Sequence, residues 1–452
     1  MNLGEILPIL AATSHSLPDL TQTWSRTCTD TRKLQPGDLF FALAGENFDG
    51  HDFAAQAIAK GAVAVVGSRR LHDLPQILVE DVLGAYQALA QWWRRQSGVT
   101  VIAITGSAGK TTTKEILAAL LESYAPGAVH KSAANFNNDI GVAQTLLEIQ
   151  PDRDRFVVLE MGMRGSGEIA RLAQMAEPNL GLITNIGSAH IGRLGSRAAI
   201  AAAKTELLVN LAADQVAVLN GEDDLLLSVA QTCWQGQTIT YGIDRVCTIR
   251  GKLAQNHLTI DQHTWELPLA GRHNALNFLA GIAALQGLGL PWRTHPPTLQ
   301  HLYLPQGRAE LITLSQGVTI LDQTYNASPE ATIAALRLLA QTPATRRWAI
   351  LGANRELGEH SWQLHYHIGQ TWRQLGIDHL LVLSDPETEA ILAGAGQQQP
   401  LVNGVDLVEI LVAQVQPGDC LLFKASNSVG MGKLVQQFRQ AMSDRPVTTL
   451  AG

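Results

Sequence analysis

The stretch VIAITGSAGKTT, residues 101–112, decides how the chain folds. Val101 to Ile104 form an unbroken apolar run rich in β-branched side chains, the pattern of a short strand covered on both faces. A glycine turn follows, and KEILAALLESY (114–124) then places Ile116 with Leu120 and Leu117 with Leu121 one helical turn apart. Strand, glycine loop and helix in this order make a phosphate cradle. The backbone N–H groups of Gly106, Ser107, Ala108 and Gly109 can close around phosphate oxygens at a helix N-terminus; Lys110 adds a point charge, and Thr111 and Thr112 add hydroxyls, that of Thr111 suited to magnesium. Ile104 stands where the longer form of this loop has its first glycine, so the spacing is the shorter GxxGKT. An ordinary strand-to-helix turn is the alternative; the context favours a mononucleotide.

Outward from the loop, RFVVLE (155–160), LGLITN (180–185) and QVAVLN (215–220) repeat the pattern of a buried strand between helical stretches. Alternation of this kind predicts an α/β fold, a parallel sheet with helices on both faces. Each run meets its polar residue at the carboxyl end, at Thr105, Glu160, Asn185 and Asn220, which is the edge where such sheets bind ligands. VTILD (318–322), RWAILG (347–352), HLLVLS (379–384) and CLLFK (420–424) predict a second, smaller nucleotide-fold sheet. Composition shifts near residue 98 and across the proline-rich passage 291–308, with Pro291, Pro296, Pro297 and Pro305, divide the chain into three expected domains: 1–98, 99–305 and 306–452. Residues 443–452 read as a frayed tail.

A chain of 452 residues exceeds what one core serves, in keeping with that division. The net charge of −7 argues against a surface that tracks nucleic-acid phosphates and leaves small molecules as the expected partners. Cys28, Cys233, Cys247 and Cys420 are far apart, with no pair spaced for zinc or a disulfide framework. The start has no basic region ahead of its apolar patch, and no apolar run approaches the ~18 residues of a membrane span. A cytoplasmic monomer is expected.

The loop motif TGSAGKTTTKE is followed in order by six further strings: NFNNDIGV (135–142), LEMGMRGSGEI (159–169), TNIGSAHIGRLGS (184–196), LNGEDD (219–224), GRHNALN (271–277) and YNASP (325–329). Together they resemble the Mur ligase family over nearly the whole chain. TDTRKLQPGDLFFALAGENFDGHDF (29–53) is similar to the UDP-sugar-binding first domain of its tripeptide- and dipeptide-adding members. DQTYNASP (322–329) and RWAILGANRELGEHSWQLHYHIG (347–369) resemble the members that add a dipeptide, whereas the third-amino-acid-adding members carry a DYAHTP-like string. Gln323, Ser328, Ala353-Asn354 and KASNSVGMG (424–432) depart from the dipeptide-adding pattern, all in the third segment.

The resemblance implies ATP-dependent ligation of D-alanyl-D-alanine to a UDP-muramoyl tripeptide in peptidoglycan synthesis, through an acyl phosphate, with magnesium. It implies Lys110 on the β- and γ-phosphates, Thr111 and Glu160 on a first magnesium, and His190 with Lys204 on a second, the lysine amine being carboxylated by carbon dioxide. His273, Asn274 and Asn277 would meet the nucleotide, and Arg308 and Asp322 would reach it from the third domain, making domain closure part of catalysis. Thr31, Arg32 and Asn47, with Asn135, Asn137 and Asn138, are the candidates for the UDP-substrate, and Tyr325 and Asn326 for the dipeptide. Pattern alone reads several of these otherwise: Glu160 as a solvated carboxylate, His190 as a satisfied loop histidine, GRHNALN as a helix cap, Lys204 as a solvated charge on an alanine-rich helix. The third-amino-acid-adding ligase, a folylpolyglutamate-type relative, a P-loop ATPase switch and a degenerate, non-catalytic homologue remain as alternatives.

Overall fold

Three β-sheets succeed one another along the chain. The computed structural model describes residues 1–45, 48–299, 302–308, 310–396 and 401–443, so Asn47 and the expected tail from 444 onward lie outside the described residues.

The central sheet runs from Val129–Lys131 at one edge through Phe156–Glu160, Thr100–Thr105, Leu180–Ile183, Val216–Asn220 and Gln237–Gly242 to Ile249–Ala254, all parallel neighbours. Strand Thr100–Thr105 shows why the apolar run is unbroken. Val101 and Ala103 enter one core, with the helices Asp139–Leu147 and Arg197–Val209, while Ile102 and Ile104 enter the other, with Lys110–Glu122 and Arg272–Gly287. The chain leaves this strand toward Phe156–Glu160 on one side and returns on the other as Leu180–Ile183, so the glycine loop sits at a switch in strand order, where open α/β sheets bind ligands. Strand Leu180–Ile183 stops before Thr184 and Asn185, two residues short of the run read as a strand.

An antiparallel extension, His257–Ile260 and His263–Glu266, completes this sheet and was not read from the sequence. Its turns are two residues long, and Gln255 (φ +52°) and Asp261 (φ +53°) take the left-handed conformation such turns require, without the glycine that usually announces it.

The first sheet orders Ser14–His15, Gln76–Leu78, Ala64–Gly67, Leu39–Phe41 and Thr27–Cys28, parallel except at the first pair. Helix Val82–Ser97 then leads to the central sheet, capped by Asp81 at its start and ended by Gly98 at φ +63°. Its Tyr86, Leu89 and Ala90 share one apolar core with Val142, Leu146 and Leu172, and its Arg94 donates to the carbonyls of Ala176 and Glu177 at 3.0 Å. The first and central sheets are thus packed as one body. The third sheet orders Glu310–Thr313, Thr319–Asp322, Cys420–Lys424, Arg347–Leu351 and His379–Val382, antiparallel only at the first pair, and has a separate core on each face.

Candidate functional site

The glycine loop is braced from behind by the residues the shortened strand releases. Ser107 N donates to Asn185 O and Ala108 N to Asn185 Oδ1, each at 3.0 Å, while Asn185 Nδ2 and Thr184 Oγ1 return to Ala108 O at 2.9 and 2.6 Å. Gly106 has φ +148°, and a Cβ there would fall 1.9 Å from Thr184 Oγ1, so only glycine admits this brace. Lys110 opens the helix Lys110–Glu122 and donates to Gly106 O at 2.7 Å; burial is the main cause that holds its pKa below the ordinary lysine range. The loop is therefore built before any phosphate arrives.

Beside it, Thr111 Oγ1 donates to Glu160 Oε2 at 2.5 Å and Asn137 Nδ2 to Glu160 Oε1 at 2.8 Å. Glu160 is buried and among the described residues has no ion-pair partner, which overturns its reading as a solvated carboxylate. A hydroxyl and a carboxylate this close, both hard oxygen donors, fit magnesium. Lys204 is buried as well, on helix Arg197–Val209, and the solvated-charge reading fails with it. Burial, reinforced by the positive charge of Lys110, holds its pKa well below the ordinary lysine range. His190 (φ +67°) presents a ring that feels both Lys110 and Lys204; burial leads the causes that lower its pKa, and its Nδ1 contacts Glu356 Oε2. Lys110, His190 and Lys204 thus share one neighbourhood. Among the described residues no three His, Cys, Asp or Glu side chains converge as a ready-made metal cluster.

The motif GRHNALN splits in two. Asn277 accepts from Thr113 Oγ1 at 3.2 Å, which ties helix Arg272–Gly287 to the loop's own helix, and Asn274 donates to Ala270 O at 2.8 Å just ahead of its own helix; both are buried. His273, pushed down to about 4 by burial and by the charge of Lys424, faces the third domain instead.

From that domain, Arg308 lies over the Tyr325 ring with its guanidinium carbon 3.8 Å from the centroid, and its charge reaches both Lys110 and Lys424. Lys424, at the end of strand Cys420–Lys424, donates to Asn326 O at 3.0 Å and is pushed down to about 7, chiefly by burial. Asp322 turns one oxygen back to Thr324, accepting from its N at 3.0 Å and its Oγ1 at 2.7 Å. Asn326 Oδ1 accepts from Asn427 N at 3.4 Å, and Asn427 Nδ2 donates to Tyr325 O at 3.0 Å, tying YNASP to KASNSVGMG. Ser107 Oγ, Ser188 Oγ, Arg308 Nε and Gln323 Nε2 are buried without a partner in the protein. Atoms such as Trp24 Nε1 and Asn256 Oδ1 are equally unpartnered away from the junction, so these four admit a polar ligand there without demanding one.

The candidates for the UDP-substrate are scattered by comparison. Thr31 is buried and spends its hydroxyl on Gln56 Oε1 at 3.0 Å; Arg32 is exposed, paired at 2.8 Å with Asp30. Asn138 caps helix Asp139–Leu147 through Gly141 N at 2.9 Å, Asn135 is exposed, and Asn137 belongs to Glu160. Sequence reasoning missed Asn185 as the brace, Lys424 as a buried cation, and Glu330 and Glu356, which cross the junction to Ser188 and His190. Asn185 and Lys424 had a signal, their place at the carboxyl end of a run read as a strand; the two glutamates had none.

Comparison with known proteins bears on this arrangement. The description "Mur ligase middle domain" matches residues 104–285, "Mur ligase, glutamate ligase domain" residues 307–427, and "Mur ligase family, catalytic domain" residues 26–94. A UDP-N-acetylmuramoyl-tripeptide–D-alanyl-D-alanine ligase of Synechocystis is 50% identical over 417 residues, covering 91% of each chain, and that of Escherichia coli is 35% identical over 440, covering 92% of this chain and 94% of its own. A crystal structure of MurF from Acinetobacter baumannii superposes with TM-score 0.89 at 29% identity over 97% of this chain and 98% of that one. One of MurF ligase from Thermotoga maritima in complex with ADP gives 0.82 at 28%, over 93% and 98%. With its phosphate loop, its three sheets and this extent of likeness, the chain belongs to the Mur ligase family.

Proposed function

We propose that this protein joins D-alanyl-D-alanine to a UDP-N-acetylmuramoyl tripeptide, consuming ATP and releasing ADP and phosphate with the UDP-muramoyl pentapeptide, in peptidoglycan synthesis. The observation that carries the reading is the likeness at 50% identity to a ligase of that name, across a chain whose phosphate loop is intact and braced. The tripeptide carboxylate attacks the γ-phosphorus, an acyl phosphate forms, and the dipeptide amine displaces phosphate through a tetrahedral intermediate.

The chain's own part is to position and to neutralise charge. The N–H groups of the loop and Lys110 hold the β- and γ-phosphates against the sheet edge, and Arg308 approaches them from the third domain. Thr111 and Glu160 would hold one magnesium, and His190 with Lys204 a second. Bound there, the metal would neutralise phosphate oxygens that otherwise repel the incoming carboxylate. Lys204 supports that role if it is carboxylated: the amine is buried with its pKa held well below the ordinary lysine range, and magnesium takes oxygen ligands in preference to a lone imidazole. His273 and Asp322 complete the nucleotide site; Asn274 and Asn277 set the helix that carries it. Tyr325 and Asn326, tied to Asn427, offer the dipeptide surface, and Arg32, with Asn47 and Asn135, the surface for the UDP moiety. Thr31 and Asn138 act through the loops they hold.

We read residues 1–98, 99–305 and 306–452 as the substrate, ATP and dipeptide domains. The chain would work as a cytoplasmic monomer, where ATP and UDP-linked intermediates are found. Phosphate release measured with a panel of acceptors tests the whole reading. Release should require both the UDP-tripeptide and D-alanyl-D-alanine; release with ATP alone, or a single amino acid preferred over the dipeptide, would overturn it.

A further inference from the structure

The loop that carries His190 is gripped across the domain junction by residues that no substrate role requires. Besides the contact between His190 Nδ1 and Glu356 Oε2, Gly192 N donates to Glu356 O at 3.0 Å, and Arg193 Nη2 lies 3.5 Å from Glu356 Oε1. Leu357, 1% exposed, inserts into the core shared by the first and central sheets. Gly358, at φ +56°, comes so near Gly192 that a Cβ there would lie 2.7 Å from Gly192 Cα. Glu356 itself holds φ +64°, a conformation non-glycine residues rarely take, and it is held there by contacts made on the central domain. A second third-domain carboxylate, Glu330, accepts from Ser188 N at 2.7 Å on the same loop.

A metal-binding histidine commonly donates its second ring N–H to a carboxylate, which sets the tautomer and aims the free nitrogen. Here the carboxylate comes from the other domain. We propose that Glu356 is a positioning residue that accepts the Nδ1 proton of His190 and so leaves Nε2 bare for a ligand, and that this happens only when the third domain is docked through Leu357 and Gly358. The value of Nε2 to a metal rests on the reading of His190 given above; the tautomer and its dependence on docking do not. Docking of the domain that carries the dipeptide surface and preparation of the histidine become one event, which keeps the phosphoryl chemistry from starting on an open site.

Histidine-selective nitrogen NMR of the full chain, without magnesium or nucleotide, tests the tautomer directly, with His190→Gln to assign the signal. The parent should show the Nδ1–H form. Glu356→Ala and Gly358→Ala should both yield a mixture with the Nε2–H form, the second without touching the carboxylate, and Glu356→Gln, which keeps an acceptor oxygen, should retain the parent's form. In phosphate-release assays the half-saturating magnesium concentration should rise about tenfold in Glu356→Ala and in Gly358→Ala. The KM for ATP should stay within about threefold, and Glu356→Gln should recover most of the loss. An unchanged tautomer in Glu356→Ala, or in Gly358→Ala, overturns the proposal. A His190→Gln protein with the parent's magnesium dependence would overturn the ligand reading of His190 instead, leaving the tautomer result to decide the role of Glu356.

Discussion

The two halves of the site are held together in different ways. On the central domain, the loop 106–111 and the carboxylate of Glu160 are fixed by neighbours along one sheet edge, through short bonds to Thr184, Asn185 and Asn137. On the third domain, Arg308, Lys424 and the YNASP loop are held by an aromatic face, by carbonyls and by one another, with Arg308 Nε and Gln323 Nε2 left unpartnered. Both halves keep buried donors without a protein partner, Ser107 Oγ and Ser188 Oγ on the first and Arg308 Nε and Gln323 Nε2 on the second; the difference is that the loop backbone of the first is braced by side chains of its own sheet edge. A phosphate cradle must exist before the charge arrives, since ordering it at the moment of reaction would forfeit the gain from preorganised dipoles.

If that contrast is right, the largest effect belongs to the central half. Lys110→Ala should lower kcat by at least about a thousandfold, the scale of losing a main electrostatic stabiliser, with an unchanged melting curve. Ligation at a rate comparable to the parent would remove this loop as the ATP site.

Lys204 comes next and sharpens the contrast chemically. Lys204→Arg should be as inactive as Lys204→Ala, since arginine cannot be neutralised or give a carboxylate oxygen, and formate or acetate should partly restore the alanine variant. Intact-mass analysis under carbon dioxide should show one added carboxyl in the parent. A plain ammonium in an active, magnesium-loaded enzyme would sink the idea.

On the third-domain half the effect should be one of pH rather than of rate. The Lys424 amine is pushed down to about 7 in the folded chain, whereas an unfolded lysine titrates near about 10.4. Between these values the unfolded chain holds the extra proton, so this lysine makes stability rise with pH from about 7 to about 10. Lys424→Met should flatten that part of the melting-temperature profile of the ligand-free protein relative to the parent. Parallel profiles for the two proteins would show that the amine is not held neutral.

The smallest effects separate scaffold from ligand contact in the first domain. Thr31→Val should cost about 1 kcal/mol of stability through the lost bond to Gln56 while the KM for the UDP-substrate stays put. Arg32→Ala, whose exposed pair with Asp30 adds little stability, should do the reverse. Equal stability losses in the two variants would erase the distinction.

Much of the central half was legible because its residues are close in sequence or sit at strand ends: the loop 106–112 lies between a strand and a helix whose periods are plain, and Glu160 ends a strand. Family resemblance picked out His190 and Lys204, which pattern alone read as ordinary. Membership of that family also removes the P-loop switch. Glu356 and Glu330 were illegible, because a carboxylate in a loop looks the same whether it faces water or a histidine 166 residues away. Asn274, Asn277 and Asn138 were legible as polar residues near a site but not as the local tie, the interlock and the cap they form, since amide side chains serve both uses equally well.

By itself, then, the sequence determined the local machinery: apolar runs long enough only for strands, glycines where a Cβ has no room, and a lysine and threonine at the first turn of the following helix. What only the tertiary structure decided was which charges are buried and which residues meet across the domain junction. Burial sets the Lys204 pKa well below the range of a solvated lysine, and the junction brings Glu356 onto His190. The physical reason is one of range: backbone geometry and side-chain periodicity act within a few residues, whereas desolvation and pairing depend on surfaces that come together only after the chain has folded.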